Sequence, residues 1–423
     1  MAPRPQPATP RREFLKRLGA ASVAAVLPAG AAWPPHPAAD DYWELVRAQY
    51  PLTRDRVYFN TGGLGPAPYP VVDAVASLMM QLQRLSEHGH NRIVEARAPV
   101  ARFFGVKPEE VAFMRNATEG NATIASGLTF LRPGDEVIFE SHAHPGGAIP
   151  WMSRQKQQGI KVRIFEPDPT SAAGNLERIE ALITPRTRVI QVSHTTAPTG
   201  IRMPVDAIAA LVRDRGIWFH IDGAQSAGAY PFDLGKIGCD SYATSGHKWL
   251  GATHGTGVLY VREDRLDDVA PTEAGAYSDD GAYALPDTFD YNKTAQRYEP
   301  GTRDATSVAG LVAAVQFMET IGMDRVAAYS QGLALRLQGQ LRAMAGITVL
   351  TPEDPSLSAG ITTFKLEKMP YDELFRVLLS EHKMRCRVVT EQGLDALRVS
   401  THVFNSEEEV DRLAEAVGGI ARG

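Results

Sequence analysis

The 423 residues carry 44 Lys and Arg against 49 Asp and Glu, a formal net charge of −5, with 44% hydrophobic and 22% charged residues. That balance excludes a disordered chain, and a mildly acidic protein has no global pull on a phosphate backbone, so no nucleic-acid partner is expected. The only cysteines are Cys239 and Cys386, which excludes a disulfide scaffold and an all-cysteine metal or iron–sulfur site.

Residues 1–32 read as an export signal. Arg11-Arg12-Glu13-Phe14-Leu15-Lys16 supplies a charged start, an apolar run covers 18–27, and Pro28-Ala29-Gly30-Ala31-Ala32 offers small residues for cleavage. The apolar run is too short and too rich in Ala and Gly for a membrane span, and no later run is long enough, so no stable membrane span is expected. The paired arginines with Phe-Leu-Lys resemble a bacterial twin-arginine signal, with Pro10 departing from the usual Ser or Thr. This predicts use of the twin-arginine export machinery and a periplasmic or otherwise exported location. An uncleaved amphipathic helix is the alternative.

Residues 33–57 read as a Pro/Ala-rich linker and a short amphipathic helix over 41–50, expected to pack on the smaller of two domains. A strand over 56–60 enters the loop Thr61-Gly62-Gly63-Leu64-Gly65-Pro66, and 70–104 is helical in pattern. Strand-like runs follow at 111–115, 136–139, 161–165, 187–192, 217–221 and 240–244, most of them trailed by a helix-like segment. Such β–α alternation implies a mostly parallel sheet covered on both faces. The run 257–261 comes after only a Gly-rich link, too short for a parallel crossover, so this seventh strand is expected to be antiparallel. The predicted fold is therefore α/β, with a large domain over 58–306 built on a mostly parallel seven-stranded sheet between helices. Helices from about 307 to 345 lead into a smaller α+β C-terminal domain over 307–423, with strands at 361–366 and 396–400. Ser406 would N-cap the last helix, with Glu409 completing a capping box.

Ligands of open α/β sheets bind beyond the carboxyl ends of the strands. After 111–115 comes Asn116-Ala117-Thr118-Glu119-Gly120, whose helix-opening N–H groups and Thr hydroxyl suit a phosphate; Asn116 with Glu119 equally reads as a simple cap. After 217–221 comes Asp222-Gly223-Ala224-Gln225, and a carboxylate ending a buried strand needs a cation or good hydrogen bonds. After 240–244 comes Ser245-Gly246-His247-Lys248, whose lysine is a candidate Schiff-base former. Singly, each reads as well as structure; together they match pyridoxal phosphate (PLP), which needs an amine, a carboxylate and an anion cradle. Two rival classes remain. His142-Ala143-His144 and His220-Ile221-Asp222 have the HxH and HxD spacing of a metal-dependent hydrolase, but that reading leaves the Ser245–Lys248 motif idle, and no metal site is assigned. The other rival is a PLP-binding protein without turnover.

Asp222-Gly223-Ala224-Gln225 followed by Ser245-Gly246-His247-Lys248-Trp249 resembles the signature of class V aminotransferases, fold-type I PLP enzymes that include cysteine desulfurases, selenocysteine lyases, kynureninases and isopenicillin-N epimerases. The likeness runs from Tyr58 to the C-terminus through Tyr58-Phe59-Asn60-Thr61-Gly62-Gly63, Arg115-Asn116-Ala117-Thr118-Glu119, Glu299-Pro300-Gly301-Thr302 and Leu397-Arg398-Val399-Ser400-Thr401-His402. The Asn60–Pro66 opening and the Ser193-His194-Thr195-Thr196-Ala197-Pro198-Thr199-Gly200 loop are most similar to the isopenicillin-N-epimerase-like branch.

The resemblance implies a role for each matching residue. Lys248 would hold the cofactor as a Schiff base and move the Cα proton of an amino-acid substrate. Asp222 would pair with the pyridine nitrogen and Gln225 with the phenolic oxygen. His144 would stack on the ring, with His142 as the alternative. Ala117, Thr118, Ser245 and His247 would hold the phosphate, and Thr302 would reach it from a second subunit, which implies a homodimer with shared sites. Arg398 would clamp the substrate carboxylate, and Asn60 and Gly63 would line the mouth. The family's Asn after the 187–192 strand is replaced here by Thr196 or Ala197. A cysteine desulfurase needs a mobile thiolate, and the corresponding stretch, Thr390-Glu391-Gln392-Gly393, has none, so desulfurisation is not expected. Epimerisation, transamination and β-elimination, including C–S lysis, remain, with the subgroup resemblance favouring an epimerase. For a second proton donor the sequence offers only Tyr242, His142 and His194 as candidates.

Overall fold

The computed structural model describes residues 39–422, so the export-signal reading of residues 1–32 lies outside the described residues. A two-residue strand, β1 (Val57–Tyr58), precedes the seven strands of the central sheet: β2 (Val111–Met114), β3 (Glu136–Glu140), β4 (Lys161–Phe165), β5 (Thr187–Ser193), β6 (Trp218–Asp222), β7 (Ser241–Ser245) and β8 (Gly257–Val261). Their order across the sheet is β2-β8-β7-β6-β5-β3-β4. Only β8 runs antiparallel, to both of its neighbours; the remaining pairings are parallel. The short link after β7 thus reverses the chain as its length requires. Since β2 and β7 both oppose β8, they run the same way, and the carboxyl ends of β2, β3, β5, β6 and β7 gather along one edge.

Alternation by two sorts the strand side chains between the faces of the sheet. Phe113, Ile138, Ile190, Phe219 and Ile221 pack with the helices Tyr69–Leu85, His90–Phe104, Val205–Val212 and Ala305–Ile321. Met114, Val137, Val189, Trp218 and Ala243 pack with the helices Ala117–Gly127 and Pro145–Gln158. His220 and Asp222 share the face of Trp218 on β6, and so meet the 117–127 helix. Every residue of β6, β7 and β8 is buried, as sheet strands covered on both faces should be.

Two expected elements are broken. The helical pattern over 70–104 is two helices, parted where Ser86 (φ 53°) and Gly89 (φ 75°) take left-handed conformations. The helices expected from 307 to 345 bend by 80° at Gly322. The arm before the bend buries Leu311, Ala314, Val315 and Met318 in the central core, and the arm after it buries Leu333, Leu337 and Leu341 against the C-terminal sheet. No single helix among the described residues is long and apolar enough to cross a membrane.

The C-terminal body carries β9 (Ile347–Val349), β10 (Ile361–Leu366), β11 (Met384–Arg385), β12 (Arg387–Val389) and β13 (Ala396–Ser400). Four of them form an antiparallel sheet in the order β12-β13-β10-β9. β1 joins β11 in parallel, so the chain enters beside the C-terminal body before the 60–66 loop crosses to the central sheet. The helix Ala39–Arg47 docks at the same junction, where Trp43 stacks on Tyr329 with ring centroids 3.8 Å apart. The last helix, Glu407–Arg422, starts with the expected capping box. Glu409 N–H donates to Ser406 Oγ and Ser406 N–H to Glu409 Oε2, both at 3.3 Å; such caps contribute about 1 kcal/mol.

Candidate active site

The three strand-end motifs converge on the shared edge. Asp222 is the last residue of β6 and Ser245 the last of β7, each one step earlier than the sequence reading placed it. The Ser245 hydroxyl accepts the Ala117 N–H at 2.9 Å, which ties β7 to the start of the 117–127 helix. Asn116 caps that helix by accepting Glu119 N–H at 3.0 Å, so the capping reading of this pair holds. The neighbouring helix starts at His144, whose Nδ1 accepts Gly146 N–H at 3.0 Å and leaves the proton on Nε2. A Cβ on Gly146 would lie 2.3 Å from Thr118 Oγ1, and one on Gly147 would lie 2.9 Å from Asp222 Oδ2. Only glycines let these two helix starts close around the carboxylate and the Thr118 hydroxyl.

Lys248 sits on the turn after β7. The turn is pinned by Gly246 N–H to Thr256 O at 2.8 Å and by Gly65 N–H to His247 O at 2.8 Å. A Cβ on Gly65 would lie 1.8 Å from Lys248 O, so the 60–66 loop rests directly on the lysine backbone. Burial pushes the Lys248 ammonium down to about 8; nearby Asp222 opposes that push, and Arg398 and Arg387 add to it. A share of this amine is therefore neutral and nucleophilic near physiological pH. His144 feels the same surroundings: burial and Lys248 lower its proton affinity, and Asp222 partly offsets them. Burial also takes His247 down to about 4, leaving a neutral ring with a buried Nδ1 that has no protein partner.

Asp222 is buried and its two oxygens have separate donors. Oδ1 accepts Ala224 N–H at 3.0 Å and Oδ2 accepts Asn121 Nδ2 at 2.8 Å. Asn121 Oδ1 meets His220 Nε2 at 2.9 Å, and His220 Nδ1 meets Ser241 Oγ at 2.8 Å. Gln225 Nε2 donates to Gly62 O at 2.9 Å, and its Oε1 accepts Trp249 Nε1 at 2.8 Å, which holds the Gln225 amide beside the 60–66 loop.

Arg398, on β13, is 1% exposed. Its Nη1 donates to Ala197 O at 2.8 Å and its Nη2 to Asn60 Oδ1 at 3.1 Å, while Nε has no partner. It makes no ion pair among the described residues. Burial and the adjacent Arg387 press it toward deprotonation, but a guanidinium keeps its proton in proteins. The result is a buried cation that forms no ion pair of its own and feels Glu391, already bonded to Arg387, only through space, which is costly unless an anion arrives. Gly62 leaves room for it, since a Cβ there would lie 3.0 Å from Arg398 Nη2. Gly63 packs in the same way on Asn60. Arg387 faces Arg398 as its partner across β12 and β13 and is itself paired with Glu391. Burial alone would raise the Glu391 carboxyl, but the Arg387 bond overrides it and holds the group below its ordinary range.

Thr302 stands apart from this cluster. It is exposed, in a cleft of about 330 Å³ that it shares with Arg115, Glu119 and Thr256. Arg387, Glu391 and Asn121 were not given site roles from the sequence, and His220 entered only in the rival metal-site spacing with Asp222. His220 carried one signal, its position two residues before Asp222 on the same strand face. Asn121 lies one helical turn past Ala117, but only the docked helix shows that it reaches Asp222.

Of the candidate second proton donors, Tyr242 and His142 are hydrogen-bonded elsewhere, and His194 is enclosed by aromatic rings with its Nδ1 unpartnered. Tyr242 is fully buried against Ser226 Oγ at 3.0 Å, and burial pushes its hydroxyl far up. His194 is boxed between Tyr230 and Phe232, and burial takes it down to about 3. His142 bonds Thr199 Oγ1 at 2.9 Å and lies 3.3 Å from Glu166. His142, His144 and His220 therefore point to different partners, and no group of three His, Cys, Asp or Glu side chains among the described residues is arranged to hold a metal. Both cysteines are free and buried, and burial raises the Cys386 thiol to about 12 and that of Cys239 further still.

Comparison with known proteins agrees with this geometry. The family model described as "Aminotransferase class-V" matches residues 69–413. The chain is 30% identical over 394 residues to an isopenicillin N epimerase of Amycolatopsis lactamdurans, covering 90% of this chain and 99% of that protein. Among solved structures, the apo cysteine desulfurase of Thermococcus onnurineus NA1 superposes with a TM-score of 0.82 at 26% identity, over 90% of this chain and 98% of that one. The cystine C-S lyase C-DES, in complex with its product cysteine persulfide, superposes with a TM-score of 0.80 at 26% identity, over 88% of this chain and 99% of that one. A variant of C-DES carries glycine covalently linked to its PLP cofactor. Cysteine desulfurases stand among these similar proteins, although the thiol-free stretch 390–393 had argued against that reaction, while C–S lysis was already among the open reactions. The residues present fit PLP: a partly neutral buried amine, a doubly bonded carboxylate, hydroxyls and N–H groups at a helix start, and an unpaired guanidinium for the substrate. With fold, donor set and relatives in agreement, the chain belongs to the class V aminotransferase family of fold-type I enzymes and takes pyridoxal phosphate as its cofactor.

Proposed function

We propose that this protein removes and returns the Cα proton of an α-amino acid, an isopenicillin-N-epimerase-like reaction. The observation that carries the proposal is the pairing of a partly neutral Lys248 amine with a buried Arg398 whose Nε has no partner. When bound, the cofactor supplies the electron sink for the pair left at Cα. Arg398 takes the substrate carboxylate in its fork. Lys248 Nζ would accept the Cα proton on one face, and inversion requires its delivery to the opposite face, by movement of the Lys248 side chain or by a second acid. Asp222 would hold the ring nitrogen, Gln225 the phenolic oxygen, and Ala117, Thr118, Ser245 and His247 the phosphate. Asn60 and Gly63 shape the mouth. The likeness to an isopenicillin N epimerase along nearly the whole chain favours epimerisation.

A β-elimination that releases a thiol is the second reading. It is favoured by the C–S lyase neighbour, by the hydrogen bonds that hold Tyr242 and His142 and by the aromatic enclosure of His194, since elimination needs no base on the opposite face. The remaining parts of the proposal are export through the twin-arginine machinery by residues 1–32 and a homodimer in which Thr302 serves the partner's phosphate site.

Incubation of the holoenzyme with single L- and D-amino acids in deuterated water decides between the reactions. Epimerisation gives deuterium at Cα and the opposite enantiomer. Elimination gives ammonia and a keto acid in equal amounts, and transamination gives a keto acid with loss of the aldehyde form of the cofactor. Absence of Cα exchange with every amino acid defeats the proposal. Fusion of residues 1–32 to a reporter tests export, and sedimentation tests the dimer.

A further inference from the structure

The hydrogen bonds behind Asp222 form a chain with one direction. A carboxylate only accepts, so Asn121 must turn its Nδ2 to Asp222 Oδ2, at 2.8 Å, and its Oδ1 to His220 Nε2, at 2.9 Å. The carbonyl oxygen of Asn121 needs a donor, which puts the proton of His220 on Nε2. Burial takes His220 down to about 4, so the ring is neutral and Nδ1 is an acceptor. Ser241 Oγ–H supplies that donor at 2.8 Å, and Ser241 Oγ in turn accepts Trp218 Nε1–H at 2.9 Å. Indole, hydroxyl, imidazole and amide thus all donate toward the carboxylate. Trp218, His220, Asn121, Ser241 and Asp222 are all buried, so water neither competes with these bonds nor replaces them.

We propose that Asn121 and His220 are positioning residues that fix the charge and plane of Asp222 and thereby set its hold on the cofactor ring nitrogen. Three features of the geometry support this. The chain has no branch to solvent, so its polarity is set by the carboxylate at one end and the indole N–H at the other. Aligned hydrogen bonds in a low-dielectric interior polarise one another. Gly147 leaves no slack, because any side chain there would strike Asp222 Oδ2 and Gln191 Nε2, at 2.9 and 3.0 Å. The inference rests on Asp222 meeting the ring nitrogen, as the family membership implies.

The test is titration of the apo chain with PLP, reading the dissociation constant and the absorption spectrum of the bound cofactor, with thermal melting of the apo forms as a control for folding. His220→Phe keeps the size of the ring but removes both nitrogens, and should weaken PLP binding about tenfold and shift the absorption band, the effect of one lost bond in a charge-terminated chain. His220→Gln keeps a donor for Asn121 and should restore most of the affinity and the wild-type band. Ser241→Ala cuts the chain one link further out with little change of volume and should give a smaller shift in the same direction. Wild-type affinity and spectrum in His220→Phe and Ser241→Ala would overturn the proposal. So would equal weakening by His220→Phe and His220→Gln in step with lowered apo melting, which is the signature of a structural role alone. Should the wild-type chain fail to link PLP to Lys248, the cofactor assignment fails instead, and the two failures are told apart by borohydride reduction.

Discussion

Replacing Arg398 with methionine separates the function of this residue from its cost. In the ligand-free protein the guanidinium is 1% exposed, its only partners are two neutral oxygens, and its Nε is unsatisfied. Substitution of buried ionic groups by apolar ones of similar volume is neutral or stabilising, by about 1–4 kcal/mol. Arg398→Met should therefore hold or raise the unfolding midpoint of the apo protein. Substrate binding should move the other way. Losing one partner of a desolvated charge pair costs about 2–4 kcal/mol, which is a fall of about 30- to 1,000-fold in kcat/KM. The assay is Cα proton exchange followed by NMR with the holoenzyme, using an α-amino acid and the corresponding amine that lacks the carboxylate. The amino acid should lose its advantage, and the amine should react as it does with the wild type. Equal loss for both substrates, or no loss for either, would refute the carboxylate assignment; a large drop in apo stability would refute the view of Arg398 as an uncompensated cation.

Three further outcomes are expected. Because burial takes the Lys248 ammonium down to about 8 and only the free amine attacks an aldehyde, the rate of PLP attachment to the apo chain should climb as pH rises through about 8 and level off above it; a flat stopped-flow profile contradicts this. Burial raises the Glu140 carboxyl from 4.5 to about 7, and its Oε2 has no partner. The raised value means that its stabilisation is complete below about 4.5 and lost as pH rises through about 7, a loss on the order of 3 kcal/mol. Glu140→Gln should remove that part of the pH dependence, so denaturation at pH near 5 and near 9 should show a smaller difference than in the wild type; parallel curves would refute the reasoning. Gly147→Ala places a Cβ 2.9 Å from Asp222 Oδ2 and should cost about 1–3 kcal/mol in overpacking, seen as weaker PLP binding with a smaller loss in apo melting.

The strands were legible because each is a short apolar run between turn residues, and every strand of the central sheet lies within one residue of its expected span. The reversal at β8 followed from the length of a link alone. The Lys248 and Asp222 motifs were legible because the fold places strand carboxyl ends along one edge, where residues distant in sequence meet. What stayed hidden depends on packing between elements. Nothing local in Asn121 or His220 distinguishes a hydrogen-bond chain from two core polar residues; the chain exists only once the 117–127 helix lies across β6. Arg387 sits in a run that reads as a strand, but its place beside Arg398 appears only once β12 pairs with β13. The break between the helices at 86–89 uses a serine in the left-handed region, where glycine or asparagine is the usual signal.

All of these arguments meet at one amine. Borohydride reduction of the PLP-loaded protein, followed by peptide mass mapping, reads the attachment site directly. The account predicts a single pyridoxyl adduct, on Lys248, and none in Lys248→Ala. An adduct on another lysine, or bound cofactor that leaves Lys248 unmodified, would contradict it.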